Sequence, residues 1–102
     1  MNPHRVILSP EAEAHLESIY RYIAADASPE IAHRYTEAIA RKCAGLATFP
    51  RRGAPREDLG PGLRTLAFRR RATIIYSVEP GEVTIIGIFY AGVDYEPLVR
   101  KP

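Results

Sequence analysis

The side chains in this sequence that are best suited to chemistry are seven arginines that lie between positions 51 and 71. Only Glu57 and Asp58 oppose them, so this stretch has a net charge of +5 in a chain whose formal net charge is +2. Guanidinium groups bind phosphates and carboxylates through paired hydrogen bonds. The cluster therefore predicts either an anionic partner (a nucleic acid or an acidic protein surface) or a solvated arginine loop, and composition leaves both open. The seven are Arg51, Arg52, Arg56, Arg64, Arg69, Arg70 and Arg71.

Residues that could catalyse a reaction or hold a metal ion are scarce. His4, His15 and His33 lack metal-ligand spacing with a cysteine or carboxylate, and His15 and His33 are expected to be exposed. The glycines of segment 60–62 lack the Lys-Ser/Thr of a phosphate loop. Cys43, the single cysteine, is expected to be a buried thiol. We therefore expect no catalytic residue, no metal site and no cofactor.

Two helices, each begun by the same signal, are predicted in the first half of the chain. Ser9-Pro10-Glu11 and Ser28-Pro29-Glu30 each offer an N-cap serine, a proline at the first helical position and an acidic first turn. Pro50 ends the second helix. A short connection makes the pair an antiparallel hairpin. Their apolar faces are predicted as Ala12, Leu16, Ile19, Tyr20 and Ile23 on the first helix, and Ile31, Tyr35, Ala38, Ile39, Lys42 or Cys43, Leu46 and Phe49 on the second.

The segment 73–90 is rich in β-branched and aromatic residues and is interrupted by Pro80-Gly81, which predicts two strands in a β-hairpin. With Pro80 and Gly81 as turn residues, the predicted pairs are Glu79 with Glu82, Val78 with Val83, Tyr76 with Ile85, and Ile75 with Ile86. One face is predicted to carry Ile74, Tyr76 and Val78, and the other Ile75, Ile86 and Ile88. Apolar residues on both faces indicate a central position in a sheet.

The order of elements is predicted as β-α-α-β-β-β, an α+β fold. It has an N-terminal strand at Arg5–Leu8, the helical hairpin, and a three-stranded antiparallel sheet packed under the helices. Segment 51–62 is predicted to be a turn-rich loop, Arg69–Arg71 a turn, and the end of the chain a bend and short tail. Residues 1–102 are expected to form a single domain. Without a signal-peptide core or a bilayer-spanning apolar run, the expected location is the cytoplasm.

The chain resembles toxins of the ParE/RelE superfamily of bacterial type II toxin–antitoxin systems. The resemblance covers nearly the whole chain, and its segments are specific in combination and order. They are Leu8-Ser9-Pro10-Glu11-Ala12, residues 19–24, the helix exit at residues 46–53, residues 62–66, Ile75-Tyr76-Ser77-Val78, and residues 83–90 leading to Asp94-Tyr95-Glu96.

The resemblance implies one of two activities. RelE-type members are ribosome-dependent mRNA endonucleases that need basic residues on the sheet and an arginine and a tyrosine near the C-terminus. Arg64 matches one basic position, but Leu66, Thr73, Val93 and Val99 stand where Lys, Arg, Arg and Tyr would be expected. Because these side chains supply neither acid–base catalysis nor charge stabilisation, the sequence agrees better with the ParE branch, non-enzymatic inhibitors of DNA gyrase.

The resemblance also implies partners and the residues that contact them. A ParD-like antitoxin would neutralise the chain in a hetero-oligomeric complex and would itself bind operator DNA, so the chain would reach that DNA only indirectly, with no membrane involved. Basic residues near its groove would receive an acidic antitoxin tail. The residues expected to contact the antitoxin are Leu16, Tyr20, Ile23, Tyr35, Ile39 and Arg64. Those expected to contact the gyrase target are Arg69, Arg70, Arg71, Tyr90, Asp94 and Tyr95.

In two places the chain departs from the ParE-like pattern, whose strand end often reads His-x-x-Arg-Asp. Tyr90 replaces the histidine and Val93 the arginine, whereas Asp94 is retained. These departures keep open a third reading, a degenerate homologue that binds antitoxin without poisoning a target. A plain nucleic-acid-binding domain, resting on the arginine cluster alone, is a fourth.

Overall fold

The fold is a five-stranded sheet with a helical hairpin on one face, as seen in a computed structural model that describes residues 3–100. The elements are β1 (Arg5–Leu8), α1 (Pro10–Asp26), α2 (Pro29–Ala44), β2 (Ala54–Pro55), β3 (Leu63–Phe68), β4 (Ala72–Glu79), β5 (Glu82–Tyr90) and α3 (Glu96–Val99). The strand order is β1-β5-β4-β3-β2, with β1 parallel to β5 and every other pair antiparallel. The predicted α+β class is confirmed.

The sheet has five strands rather than the predicted three, because β1 joins it beside β5 and β2 forms inside the segment expected to be an irregular loop. β2 is only two residues long and pairs with Thr65 and Arg64 of β3. β2 was not predicted because it lies among prolines and glycines, which usually mark turns. The outer edge of β3 is therefore covered over a short length.

Both helices begin where predicted. The backbone N–H of Ala12 donates to Ser9 Oγ, and that of Ile31 to Ser28 Oγ, each over 3.1 Å. These bonds satisfy amides that have no partner inside a helix. After α2, a 3-10 turn at Gly45–Ala47 carries the chain toward Pro50. Within residues 3–100, no helix has the length and apolar character needed to cross a membrane.

Two of the residues predicted for the apolar face of the second helix are exposed instead. Ile31 is 49% exposed and Phe49 is 64% exposed. In the first turn of α2 the buried position is taken by Ala32, one residue further on. Phe49 follows the 3-10 turn, where the spacing of an α-helix no longer applies. The rest of the predicted faces is buried or half-buried, including Cys43, whose pKa is raised to about 11 by burial.

The register of the β4–β5 hairpin is as predicted from the turn to Tyr76, which pairs with Ile85, and wrong beyond it. Ile75 pairs with Gly87 rather than with Ile86, because Ile86 is an extra residue in a β-bulge. The shift brings Ile88 opposite Ile74 and onto the face covered by the helices. The prediction that Ile88 shares a face with Ile75 is therefore wrong.

The bulge lies where β1 ends and α1 begins, and Ser9 at that junction and His15 on α1 bind the free edge of β5. Ser9 donates from its backbone N to Ile85 O (2.9 Å) and from Oγ to Ile86 O (3.1 Å). His15 Nδ1 accepts from the backbone N–H of Ile88 (3.2 Å). His15 is half-buried against the Phe89 ring, so the expectation that it is exposed is wrong.

Tyr76, fully buried at the centre of the sheet, anchors the loop that precedes β2. Its hydroxyl accepts a 2.8 Å hydrogen bond from the backbone N–H of Gly53, and burial raises its pKa. A Cβ at Gly53 would come within 2.6 Å of Thr65 O and 2.8 Å of Tyr76 Oη. Only glycine lets the loop come this close.

Removing the hydroxyl of Tyr76 is expected to cost more stability than removing that of Tyr35. In Tyr76→Phe, the buried N–H of Gly53 loses its acceptor, and the free energy of unfolding should fall by about 1–3 kcal/mol. Tyr35 Oη is buried and has no hydrogen-bond partner among the described residues. Tyr35→Phe should therefore be neutral or stabilising. Urea denaturation of both variants tests this, and equal losses would contradict it.

Candidate functional site

The turn between β3 and β4 consists of three consecutive exposed arginines, here called the arginine turn (Arg69–Arg71). Arg69 and Arg70 have φ angles of 48° and 60°, a left-handed conformation uncommon for residues with a Cβ. The turn closes with a hydrogen bond from Arg71 N to Phe68 O (3.1 Å). The predicted turn is confirmed, and its strained backbone is of a kind that clusters at functional sites.

Four aromatic side chains lie behind the arginine turn and form one cluster. The Arg69 guanidinium lies 4.9 Å from the centre of the Phe68 ring, and that of Arg71 lies 5.4 Å from the Tyr90 ring. Arg71 Nη2 also donates to Tyr90 Oη over 3.4 Å. The cluster consists of Tyr22, Tyr35, Phe68 and Tyr90, whose neighbouring rings have centroids 5.4–5.9 Å apart. The turn thus combines positive charge with aromatic surface.

Tyr35 is the central ring of the aromatic cluster and packs edge-on against both Phe68 and Tyr90. Burial raises the pKa of its hydroxyl and Tyr90 adds to the rise, while Arg71 and Arg69 oppose it. Tyr22, on α1, was not predicted to join this cluster, and its exposed fraction is 56%. The only available signal was a tyrosine on the polar side of a predicted helix.

The other two predicted target contacts are not part of the cluster. Asp94 is exposed beyond the end of β5. Tyr95 stacks on Phe89 with ring centroids 5.7 Å apart. Phe89 alternates along β5 with Tyr90 and therefore faces the other side of the sheet. The structure thus brings Arg69, Arg71 and Tyr90 together and places Tyr95 elsewhere.

The predicted antitoxin contacts are divided between the core and the surface. Ile23 and Ile39 are buried between the helices and the sheet, whereas Leu16, Tyr20 and Tyr35 are half-buried. Arg64 lies on β3, where its Nη1 donates to Gly53 O (2.7 Å) and Arg51 O (3.2 Å). It therefore fixes the loop before β2.

A shallow groove of about 430 Å³ crosses the outer side of the helical hairpin. Its floor contains Leu16 and Tyr20, and its remaining residues are Leu8, Glu13, Glu17, Thr36, Glu37 and Ala40. Tyr20 also borders a neighbouring groove lined by His33 and Arg34. The charged residues that line the first groove are Glu13, Glu17 and Glu37, so its lining is acidic and not basic as expected, and the neighbouring groove adds Arg34 and Arg41.

On the face opposite the helices, ion pairs hold α3 against the loop that leads into β3. Arg56 donates to both carboxylate oxygens of Asp58 (2.9 and 2.8 Å) and to Glu96 (3.0 Å). Arg100 donates to Asp58 over 3.2 Å. The Arg56 hydrogen bond is the main cause that lowers the pKa of Asp58, to about 2. These four residues are the C-terminal clamp.

The clamp borders a cleft of about 1040 Å³ that holds a second, smaller apolar cluster. Leu59, Leu63 and Phe89 line its floor, and Leu98 and Val99 of α3 line one side. Its ionisable residues are mostly acidic: Glu11, Glu57, Asp58 and Glu79, with His15 and Arg100. No group of three potential ligands that could hold a metal ion occurs among residues 3–100.

Asparagine and glycine in the arginine turn are expected to stabilise the protein. Both adopt positive φ more easily than arginine does, and relief at two positions outweighs the lost contact of the exposed Arg69 with Phe68. Arg69→Asn with Arg70→Gly should therefore raise the free energy of unfolding by about 1 kcal/mol. Arg71→Gly is the matched control. It has no positive φ to relieve and loses the Tyr90 contact, so it should be less stable. Urea denaturation measures both, and a less stable Asn-Gly variant would contradict the assignment of strain.

The clamp is expected to loosen in acid. The pKa of Asp58 is lowered by folding, so its contribution is complete above the usual value of 3.8 and is lost as the pH falls toward 2. Hydrogen exchange at the amides of Leu98 and Val99, which both bond to Tyr95 O, should lose protection over that range. Asp58→Asn should show the loss already at pH 7, whereas Glu57→Gln should not. Unchanged protection in Asp58→Asn would show that the clamp does not hold α3.

Comparison with known proteins agrees with the geometry. Residues 6–95 match the family described as the ParE toxin of the type II toxin–antitoxin system parDE. A chromosomal ParDE toxin–antitoxin system from P. aeruginosa is similar in structure, with a TM-score of 0.75 and 26% identity over 86% of this chain and 96% of that one.

A second similar structure comes from the toxin–antitoxin complex RelBE2 of Mycobacterium tuberculosis, with a TM-score of 0.66. Its identity is 21% over 91% of this chain and 97% of that one, which supports a common fold. Curated protein sequences give no match. Since the family match spans 90 of the 102 residues, from β1 to Tyr95, the protein belongs to the ParE toxin family of type II toxin–antitoxin systems.

Proposed function

We propose that this toxin inhibits DNA gyrase without being an enzyme, and that a ParD-like antitoxin neutralises it in the cytoplasm. The family match supports the ParE branch over residues 6–95. The similarity to a chromosomal ParDE system points the same way. The likeness to a RelBE2 complex concerns the fold, which both branches share.

The observation that carries the choice of branch is the set of side chains where a ribonuclease would need charged ones. Leu66 packs against the core cluster, and Val93 is an exposed apolar side chain. Val99 lines the cleft beside carboxylates that would repel the phosphates of an RNA. These groups neither transfer protons nor stabilise a cleaved phosphate. They support inhibition by binding.

The antitoxin is proposed to dock on the outer groove of the helical hairpin. Leu16 and Tyr20 form an apolar floor between two helices, a shape that suits the apolar face of an amphipathic helix. The carboxylates beside that floor favour basic residues at the edges of the partner helix. Operator DNA would be bound by the antitoxin, so the chain would reach it indirectly.

The target is proposed to meet the arginine turn and Tyr90. The three guanidiniums are exposed, and Tyr90, which replaces the histidine often found in the family, offers a hydroxyl bonded to Arg71. Val93, which replaces an arginine, is 49% exposed and apolar. This second substitution favours one alternative, a degenerate homologue that binds antitoxin and poisons nothing.

Supercoiling by purified gyrase tests the proposal. The protein should inhibit supercoiling, and a neighbouring antitoxin should reverse the inhibition. Replacing Arg69, Arg70 and Arg71 together by Gln should weaken inhibition at least tenfold, because the target loses its charged contacts. Tyr20→Ala should inhibit as well as the wild type but need roughly 30-fold more antitoxin for reversal, the loss expected for a central interface residue.

A lack of inhibition at micromolar protein would exclude gyrase as the target. Ribosome-dependent mRNA cleavage would then identify the enzymatic alternative, and harmless expression without antitoxin would identify the degenerate one. Reversal of Tyr20→Ala at the same antitoxin concentration as the wild type would place the antitoxin on another surface.

A further inference from the structure

We infer that the arginine turn, backed by the aromatic cluster, binds the phosphodiester backbone of a nucleic acid. The inference rests on the proposed function, in which this turn faces the target, and gyrase acts on DNA. It adds that the ligand of the turn is the DNA that the enzyme handles, whereas the proposed function names the enzyme alone.

The first support is that the charges of the arginine turn are not neutralised by carboxylates of the described chain. Among residues 3–100, Arg69, Arg70 and Arg71 make no ion pair. By contrast, Arg56 is held by carboxylates, and the Arg64 guanidinium is bound by backbone carbonyls. Three adjacent positive charges are thus free for phosphate oxygens, which guanidinium groups bind bidentately.

The second support is that two of the three guanidiniums are held in place before any ligand arrives. Arg69 lies over the Phe68 ring and Arg71 over the Tyr90 ring. The backbone of Arg71 is fixed as well, because Ala91 N donates to Arg71 O over 2.8 Å. Ordering arginine side chains on binding opposes association, and this cost is reduced for Arg69 and Arg71.

The third support is the kind of surface beside the charges. Tyr22 is more than half exposed and packs edge-on against Tyr90, so an aromatic ring is open to solvent next to the arginines. Arginines interleaved with aromatic rings suit a nucleic acid, whose backbone needs cations and whose bases stack on rings. An acidic peptide would use the charges but not this ring, and the nucleic acid is therefore the partner that the surface fits better.

Fluorescence anisotropy with the full chain and labelled DNA tests the inference, using single-stranded and duplex oligonucleotides of one sequence. Three neutralised phosphates predict a slope of log affinity against log salt of about −2.7 for duplex and about −2.1 for single strands. Raising NaCl from 50 to 200 mM should therefore weaken binding about 40-fold for the duplex and about 20-fold for the single strand. A stronger preference for the single strand would indicate stacking on Tyr22.

A pair of triple variants separates a specific site from net charge. R69Q/R70Q/R71Q should abolish measurable binding at 200 mM NaCl. R5Q/R21Q/R41Q removes the same number of charges from exposed positions elsewhere and should bind as the wild type does. Circular dichroism confirms that both are folded. The single variant R70Q should reduce the duplex slope by about 0.9.

Three results would overturn the inference: no DNA binding by the wild type, equal losses in both triple variants, or tighter binding of an acidic polypeptide of equal charge than of DNA. The assay contains no gyrase, so it is independent of the supercoiling test. Gyrase inhibition without DNA binding would overturn the inference and leave the proposed function intact. DNA binding without gyrase inhibition would support the inference and exclude gyrase as the target.

Discussion

The fold depends on how the outer edge of β5 is satisfied beyond the last residue of β1. A buried strand edge cannot leave its carbonyl and amide groups without partners, because each unpaired group costs about 1–3 kcal/mol. Here Ser9 and His15 take over from β1, binding the backbone of Ile85, Ile86 and Ile88. The same serine caps α1. One residue thus ends a strand, starts a helix and fixes the helix over the bulge.

Because the hairpin is fixed to one side of the sheet, the two faces acquire different chemistry. On the helix side, rings from α1, α2, β3 and β5 meet behind the arginine turn, so its charges stand on a rigid aromatic base. On the other side, α3 is held by ion pairs over an apolar cleft rimmed with carboxylates. A partner of either charge would therefore find its complement on a different part of the molecule.

Local signals in the sequence were sufficient for the helix caps, the arginine turn and the hairpin register as far as Tyr76, since each depends on residues close in the chain. The bulge at Ile86 was not predictable from local sequence, because its carbonyl accepts a hydrogen bond from Ser9, 77 residues away. The half-buried state of His15 has the same origin. The aromatic cluster and the clamp also join residues distant in the chain, and hydrophobic spacing carries no record of such pairs.

The shortness of β2 has a consequence for how copies of this protein behave in concentrated solution. Since β2 covers β3 only at Arg64 and Thr65, the stretch from Leu66 to Phe68 is a strand edge on which another chain could add a strand. Edges of this kind promote aggregation unless charge opposes the approach of a second copy. The three arginines directly after Phe68 supply such a charge, so the turn that we assign to recognition would also keep the protein soluble.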